Sequence, residues 1–169
     1  AVFHVAGSYT FWSRNPAEIF RTNVGGTINV LEAAREAGVS RTVYTSTVGT
    51  IGIPKDELGT EDTFVDLKSL HGHYKGSKFQ AEQEAISIAA AGMPLVVVNP
   101  TAPVGPWDVK PTPTGKMVLD FLRQKIPVYL KTGMNLVDVA DVVEGHILAL
   151  DKGQSGERYI LGNRNVSLK

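Results

Sequence analysis

The chain has 169 residues, 43% of them hydrophobic and 20% charged, enough for one domain with a real core and ordinary for a globular protein. Seventeen Lys and Arg balance seventeen Asp and Glu, for a formal net charge of zero, which argues against a nucleic-acid backbone as the partner. The absence of cysteine removes disulfides and thiolate zinc sites and fits a reducing cytoplasm, and no apolar run approaches the ~20 residues of a membrane span.

In chain order, apolar strand-like runs alternate with helical patterns, the signature of a parallel α/β sheet. Val2 to Ala6 reads as the first strand. A helix follows, with Asn15 as cap, Pro16 at its first position and Glu18 closing a box-like N-x-x-E. Ile19, Val24, Ile28, Leu31 and Ala34 supply its apolar face, and Gly38 ends it as a left-handed cap. Inside this helix, Thr22-Asn23-Val24-Gly25-Gly26-Thr27 places three poor helix formers in a row of six, each glycine costing ~1 kcal/mol relative to alanine. A second strand is expected over Thr42–Ser46, a polar loop over Gly49–Gly72 and a helix over Tyr74–Ala91, stopped at Gly92.

Leu95 to Val98 is apolar throughout, as a buried parallel strand should be. Pro100, Pro103, Pro106, Pro111 and Pro113 then break regular structure. Open α/β sheets bind ligands beyond the carboxyl ends of their strands, so this segment is a candidate ligand loop. Helices are expected near Thr114–Gln124 and near Val139–Asp151, the latter capped by Asp138, with a last strand over Arg158–Leu161.

The chemistry-bearing motif is Tyr74-x-x-x-Lys78 at a helix start. Positions i and i+4 share one face, and an ammonium near a phenol favours the phenolate and lowers its pKa. The motif alone is common by chance. Its context adds weight: the hydroxyl cluster Thr45-Ser46-Thr47 ends the preceding strand, where a parallel sheet presents its ligands. His71 and His73 lack companion ligands for a metal and read as loop residues. Trp12 and Trp107 read as packing or surface. Lys110, Lys116 and Arg123 could either meet a nucleotide diphosphate or form a solvated face.

Val2-Phe3-His4-Val5-Ala6-Gly7, Thr22 to Thr27, Val43-Tyr44-Thr45-Ser46-Thr47, Tyr74-x-x-x-Lys78, Asn99-Pro100-Thr101 and Leu136-Val137-Asp138-Val139-Ala140-Asp141-Val142 together resemble the extended short-chain dehydrogenase/reductases, in order and spacing. Gly72 to Lys78 and Lys110 to Gly115 look most like the hopanoid-associated sugar epimerases and dihydroflavonol-reductase-like members. The resemblance implies a Rossmann-like parallel sheet lacking its first βαβ units. It places a partial Rossmann-like domain over residues 1–104. Residues 105–169 are mainly a substrate-binding portion, with segments returning to the core. It implies Tyr74 as acid/base, Lys78 as its partner and ribose ligand, Thr47 as the hydroxyl that orients the substrate (Ser46 if the register slips by one) and Asn23 as a structural or relay asparagine. Ala6, Gly7, Thr45, Ser46, Tyr74, Lys78, Pro100 and Thr101 would line NAD or NADP.

The implied activity is that of an NAD(P)-dependent oxidoreductase or epimerase acting on a small molecule, a nucleotide-linked sugar, with an NADPH-dependent ketone reductase as the alternative. The implied assembly is a homodimer through the two long helices. One departure stands out: no G-x-G-x-x-G occurs among the 17 glycines, although helix N-termini behind such turns hold pyrophosphate in this family. The resemblance starts at the family's fourth strand. This leaves an apolar strand edge expected to drive an oligomer or to be covered otherwise, and keeps open a third reading, a non-catalytic remnant without cofactor binding.

Overall fold

The computed structural model describes residues 1–54, 57–128 and 131–168. Four parallel strands form the main sheet in the order β1 (Val2–His4), β2 (Thr42–Thr45), β3 (Leu95–Pro100) and β6 (Arg158–Leu161). Every pair is parallel, with Phe3 opposite Val43, Val43 opposite Val96 and Val98 opposite Tyr159. A smaller sheet joins β4 (Ala102–Val104), β5 (Gly133–Asp138) and β7 (Arg164–Ser167), β4 parallel and β7 antiparallel to β5.

The two faces of the main sheet follow the period-two alternation of strands. Tyr44, Leu95 and Val97 point to one face and pack with Val24, Leu31, Ala81, Ala85 and Ala89 of the helices there. Val43, Val96 and Val98 point to the other and pack with Ala149 of α5 (Val139–Lys152). A strand apolar at every position is therefore one covered on both faces, as Leu95 to Val98 implies. All four of these side chains have 0% exposure, each worth roughly 1.5–3 kcal/mol of transfer free energy. Along α3 (His73–Ala90) the alanines 81, 85 and 89 recur one turn apart, and their small size lets the helix lie close to the sheet.

Several local expectations are corrected. The first strand stops at His4, and Val5 and Ala6 continue as exposed irregular chain. The helix expected over residues 15–37 is divided into α1 (Pro16–Phe20), a π-helical turn (Arg21–Gly25) and α2 (Gly26–Glu36). The widened turn lies at Asn23 and Gly25, where helical propensity is weakest. Asn15 precedes the helix but makes no side-chain cap. Ser13 instead closes the turn before the helix, its Oγ accepting from the Asn15 amide at 3.0 Å and donating to the Asn15 carbonyl at 3.2 Å.

Gly38 and Gly92 follow their helices with φ of 63° and 100°, the left-handed geometry expected of such caps. Asp138 caps α5 by accepting from the Ala140 amide at 2.8 Å. The proline-rich segment holds β4 and α4 (Pro113–Leu122), with the Thr112 hydroxyl accepting from the Gly115 amide at 3.2 Å. Strand β5 and strand β7 have no counterpart in the sequence expectations.

Candidate active site

Beyond the carboxyl ends of β1, β2 and β3 opens a cleft of about 1610 Å³. That exceeds the 300–1,000 Å³ usual for one small ligand and leaves room for two. Gly7, Thr45, Ser46, Thr47, Tyr74, Lys78, Pro100 and Thr101 all line it. Of the residues expected at the site, two do not. Ala6 is exposed and lies outside the lining, although its neighbours Val5 and Gly7 contribute. Asn23 is 2% exposed and sits behind the wall.

Asn23 has a full set of partners there. Its Oδ1 accepts from the Ser8 amide at 2.6 Å, and its Nδ2 donates to the Ser8 carbonyl at 3.2 Å and to Ser77 Oγ at 2.9 Å. Ser77 Oγ in turn donates to the Tyr74 carbonyl at 2.8 Å. The π-helical turn thus fastens the chain after β1 to the first turn of α3, the turn that carries Tyr74.

Tyr74 and Lys78 occupy one face of α3, as the spacing requires, but the ammonium is engaged elsewhere. Lys78 Nζ donates to the Tyr44 hydroxyl at 3.0 Å and to the Thr45 carbonyl at 2.8 Å, and lies 4.6 Å from the Tyr44 ring centroid. Burial lowers the lysine to about 8, against which the Glu82 carboxylate pulls upward. The expected depression of the tyrosine is absent. Burial, followed by the neighbouring Tyr9, pushes Tyr74 up to about 12. A phenol under aromatic cover loses its stabilising water, and Lys78 donates to other acceptors.

That cover is specific. Tyr9 and Phe11 pack on Tyr74 with ring centroids 4.9 and 5.7 Å away, the second edge-on at 89°, within the range of favourable aromatic pairs. Ile53, Leu58 and Phe64 extend the apolar lining, and among the described residues the only charged groups on it are Lys75, Lys78 and Asp66. Lys110, Lys116 and Arg123 lie outside the lining, and Lys116 pairs with Asp120. Trp12 and Trp107 are 73% and 89% exposed and do not line it either. Among the described residues no group of three metal-ligating side chains comes together.

The three hydroxyls after β2 differ in what they are free to do. Thr45 Oγ1 meets His146 Nε2 at 2.8 Å, and His146 Nδ1 meets the Val142 carbonyl at 2.7 Å. The carbonyl can only accept, so Nδ1 carries a proton, and in the neutral ring Thr45 donates to Nε2. Thr47 Oγ1 accepts from the Gly49 amide at 3.2 Å, which leaves its own proton available to a ligand. Ser46 Oγ is buried with no protein partner among the described residues and lines the cleft.

One group of functional interest was missed by the sequence reading. Glu82, fully buried on α3 one turn beyond Lys78, accepts from Thr50 Oγ1 at 2.7 Å and Asn99 Nδ2 at 2.8 Å through Oε2, and from Arg158 Nη1 at 3.0 Å through Oε1. The available signal was its spacing. Positions 74, 78 and 82 continue one helical face, and an acid between Ala81 and Ala85 on a buried helix needs a partner.

The model of the NAD dependent epimerase/dehydratase family matches residues 1–162. A Synechocystis protein provisionally named dihydroflavonol 4-reductase is 47% identical over 99% of this chain and 50% of its own length. The crystal structure of gox2253 superposes with a TM-score of 0.92 at 45% identity, covering 99% of this chain and 52% of that one. The structure of PA4631, a nucleoside-diphosphate-sugar epimerase from Pseudomonas aeruginosa, gives a TM-score of 0.77 at 27% identity over 86% of this chain and 50% of the other. The chain therefore spans about half the length of the relatives it matches. Its parallel sheet is a Rossmann-type sheet, and the chain belongs to the NAD-dependent epimerase/dehydratase family.

Proposed function

We propose that this chain carries the proton-transfer and substrate-binding part of a nicotinamide-dependent carbonyl reductase whose substrate presents an apolar, aromatic face. The observation that carries the reading is the aromatic wall at the reacting phenol, Tyr9 and Phe11 against Tyr74. A lining with so few cations suits a neutral substrate better than a diphosphate, which is held by amide-rich turns and paired positive charges. The name of the Synechocystis relative points the same way.

The lining also fits the cofactor. The unpartnered Ser46 hydroxyl is a buried polar atom awaiting a ligand. Ser46, Lys78, Gly7, Pro100 and Thr101 would hold the nicotinamide end, whether NAD or NADP. When bound, that ring supplies the hydride. The protein's residues supply the rest. Thr47 donates its free proton to the substrate oxygen and fixes its position. Tyr74, which keeps its proton far above neutrality, gives it up as negative charge develops on that oxygen, a transfer typically worth 10²–10⁴-fold. Lys78, one turn on along the same helical face, would reach the tyrosinate that results by leaving its contacts with Tyr44 and the Thr45 carbonyl. Residues 105–169 would form mainly the substrate side, with α5 and β6 returning to the main sheet, and the long helices would offer the homodimer surface.

The test is NADPH oxidation by the full-length gene product with a panel of aromatic ketones. One NADPH consumed per ketone is expected, and no oxidation with any of them would sink the proposal. A second reading, epimerisation of a nucleotide-linked sugar, has support in the likeness to the P. aeruginosa epimerase. It predicts conversion of the sugar with no net consumption of NADPH, because the hydride returns to the substrate.

A further inference from the structure

We infer that Glu82 is a positioning residue for Thr47, acting through Asn99 and Thr50. The inference rests on the proposed role of the Thr47 hydroxyl. The Thr47 carbonyl accepts from Asn99 Nδ2 at 3.1 Å and lies 2.7 Å from Thr50 Oγ1, whose single proton is shared between that carbonyl and Glu82 Oε2. Both contacts lead to one atom, because Thr50 Oγ1 lies 2.7 Å and Asn99 Nδ2 2.8 Å from Glu82 Oε2. Asn99 Nδ2 also reaches Thr50 Oγ1 at 3.1 Å. The carboxylate therefore orients Asn99, whose other amide proton holds the carbonyl of Thr47 in the cleft lining, and Thr50 beside it. Glu82, Asn99 and Thr50 are 0%, 0% and 1% exposed, so bulk solvent does not compete for these contacts.

The second carboxylate oxygen is held from the far side. Arg158 on β6 donates through Nη1 to Glu82 Oε1 at 3.0 Å and through Nε to the Glu61 carbonyl at 2.7 Å. Glu61 Oε1 accepts from the Ile160 amide at 2.9 Å. The arginine thus balances the buried charge and ties it to the loop that continues into the cleft lining at Phe64. A charge with this many buried dependants is a costly way to fill space, since an apolar side chain of similar volume is often no less stabilising than a buried ion pair. Its geometry instead fixes one carbonyl, and a small displacement of a reacting group can cost on the order of 10²-fold in rate.

The test uses Glu82→Gln in the full-length gene product, alone and with Thr47→Ala. The expected loss in kcat is about 10- to 100-fold with KM changed by less than about threefold. In the Thr47→Ala background the same substitution should add less than about threefold, because the residue it positions is already gone. Equal losses in both backgrounds would overturn the inference. A second readout needs no turnover. The Gly49 amide is held by Thr47 Oγ1, so its hydrogen exchange should speed at least about tenfold in Glu82→Gln while the Val97 amide in β3 is unchanged. Unchanged Gly49 exchange, or a uniform rise across the sheet, contradicts the inference. If no carbonyl compound is turned over by the unmodified protein, the functional reading fails, and exchange alone decides this one. If Glu82→Gln does not fold, Glu82→Gln with Arg158→Met removes both charges. That pair should fold and still show fast Gly49 exchange; slow exchange there also contradicts the inference.

Discussion

Replacing Lys78 with methionine should abolish turnover and yet flatten an alkaline rise in stability, a combination that isolates the cost of burying this cation. Burial brings the ammonium from 10.5 to about 8. Between those values the unfolded chain holds a proton that the folded chain has released, so stability increases with pH across the window. At roughly 1.4 kcal/mol per pH unit the full rise is about 3 kcal/mol. The tyrosines work in the opposite sense above pH 10. Tyr74, raised to about 12, and Tyr44, raised further by burial, keep protons that the unfolded phenols lose. Neither shift traces to Lys78, so the methionine variant retains both, and the difference between the two proteins reports the lysine alone. Below pH 8 methionine relieves the whole penalty but forfeits two hydrogen bonds, each worth about 1 kcal/mol, for a net gain near 1 kcal/mol. Urea denaturation at pH 7, 8, 9 and 10 measures the difference. The advantage of the variant should vanish and reverse as pH passes 8. Curves that stay parallel from pH 7 to 10 would refute the claim that the folded chain withdraws this ammonium from water.

Three further outcomes follow from the site. Thr47→Ala should lower kcat about 100-fold, whereas Thr47→Ser, which keeps the donor, should retain most of the activity; equal losses in steady-state assays would remove the hydroxyl from the mechanism. Asn23→Ala strips three buried or half-buried hydrogen bonds from Ser8 and Ser77 and should cost about 2–3 kcal/mol in a denaturation experiment, with faster amide exchange at Ser8. Phe11→Ala should raise KM for aromatic ketones about tenfold and leave small aliphatic ketones unaffected; equal effects on both would contradict the aromatic wall.

The main sheet was legible because local signals and global fold agree there. Residues 95–98 need apolar cover on both faces, Gly38 and Gly92 stop their helices, and Asp138 caps α5. The smaller sheet was not, because β5 reads Gly-Met-Asn-Leu-Val-Asp and β7 reads Arg-Asn-Val-Ser, neither alternating nor continuously apolar. Their pairing is a tertiary outcome. In the site, hydroxyls, phenol and lysine were located by spacing, but their partners were not. Periodicity places Lys78 under Tyr74; it does not say that Tyr44 and the Thr45 carbonyl compete for the ammonium. Likewise the π-helical turn turns Asn23 into a brace between Ser8 and Ser77, a role visible only once residues 8, 23 and 77 are neighbours in space.

The most direct test of the reductase account follows the hydride itself. The full-length gene product is supplied with NADPH deuterated at the transferring position and with an aromatic ketone. One deuterium should appear on the carbinol carbon of each alcohol formed, and Tyr74→Phe should slow its appearance at least about 100-fold. Failure to label any ketone, together with inversion of a nucleotide-linked sugar that retains its own hydrogen, would contradict the account.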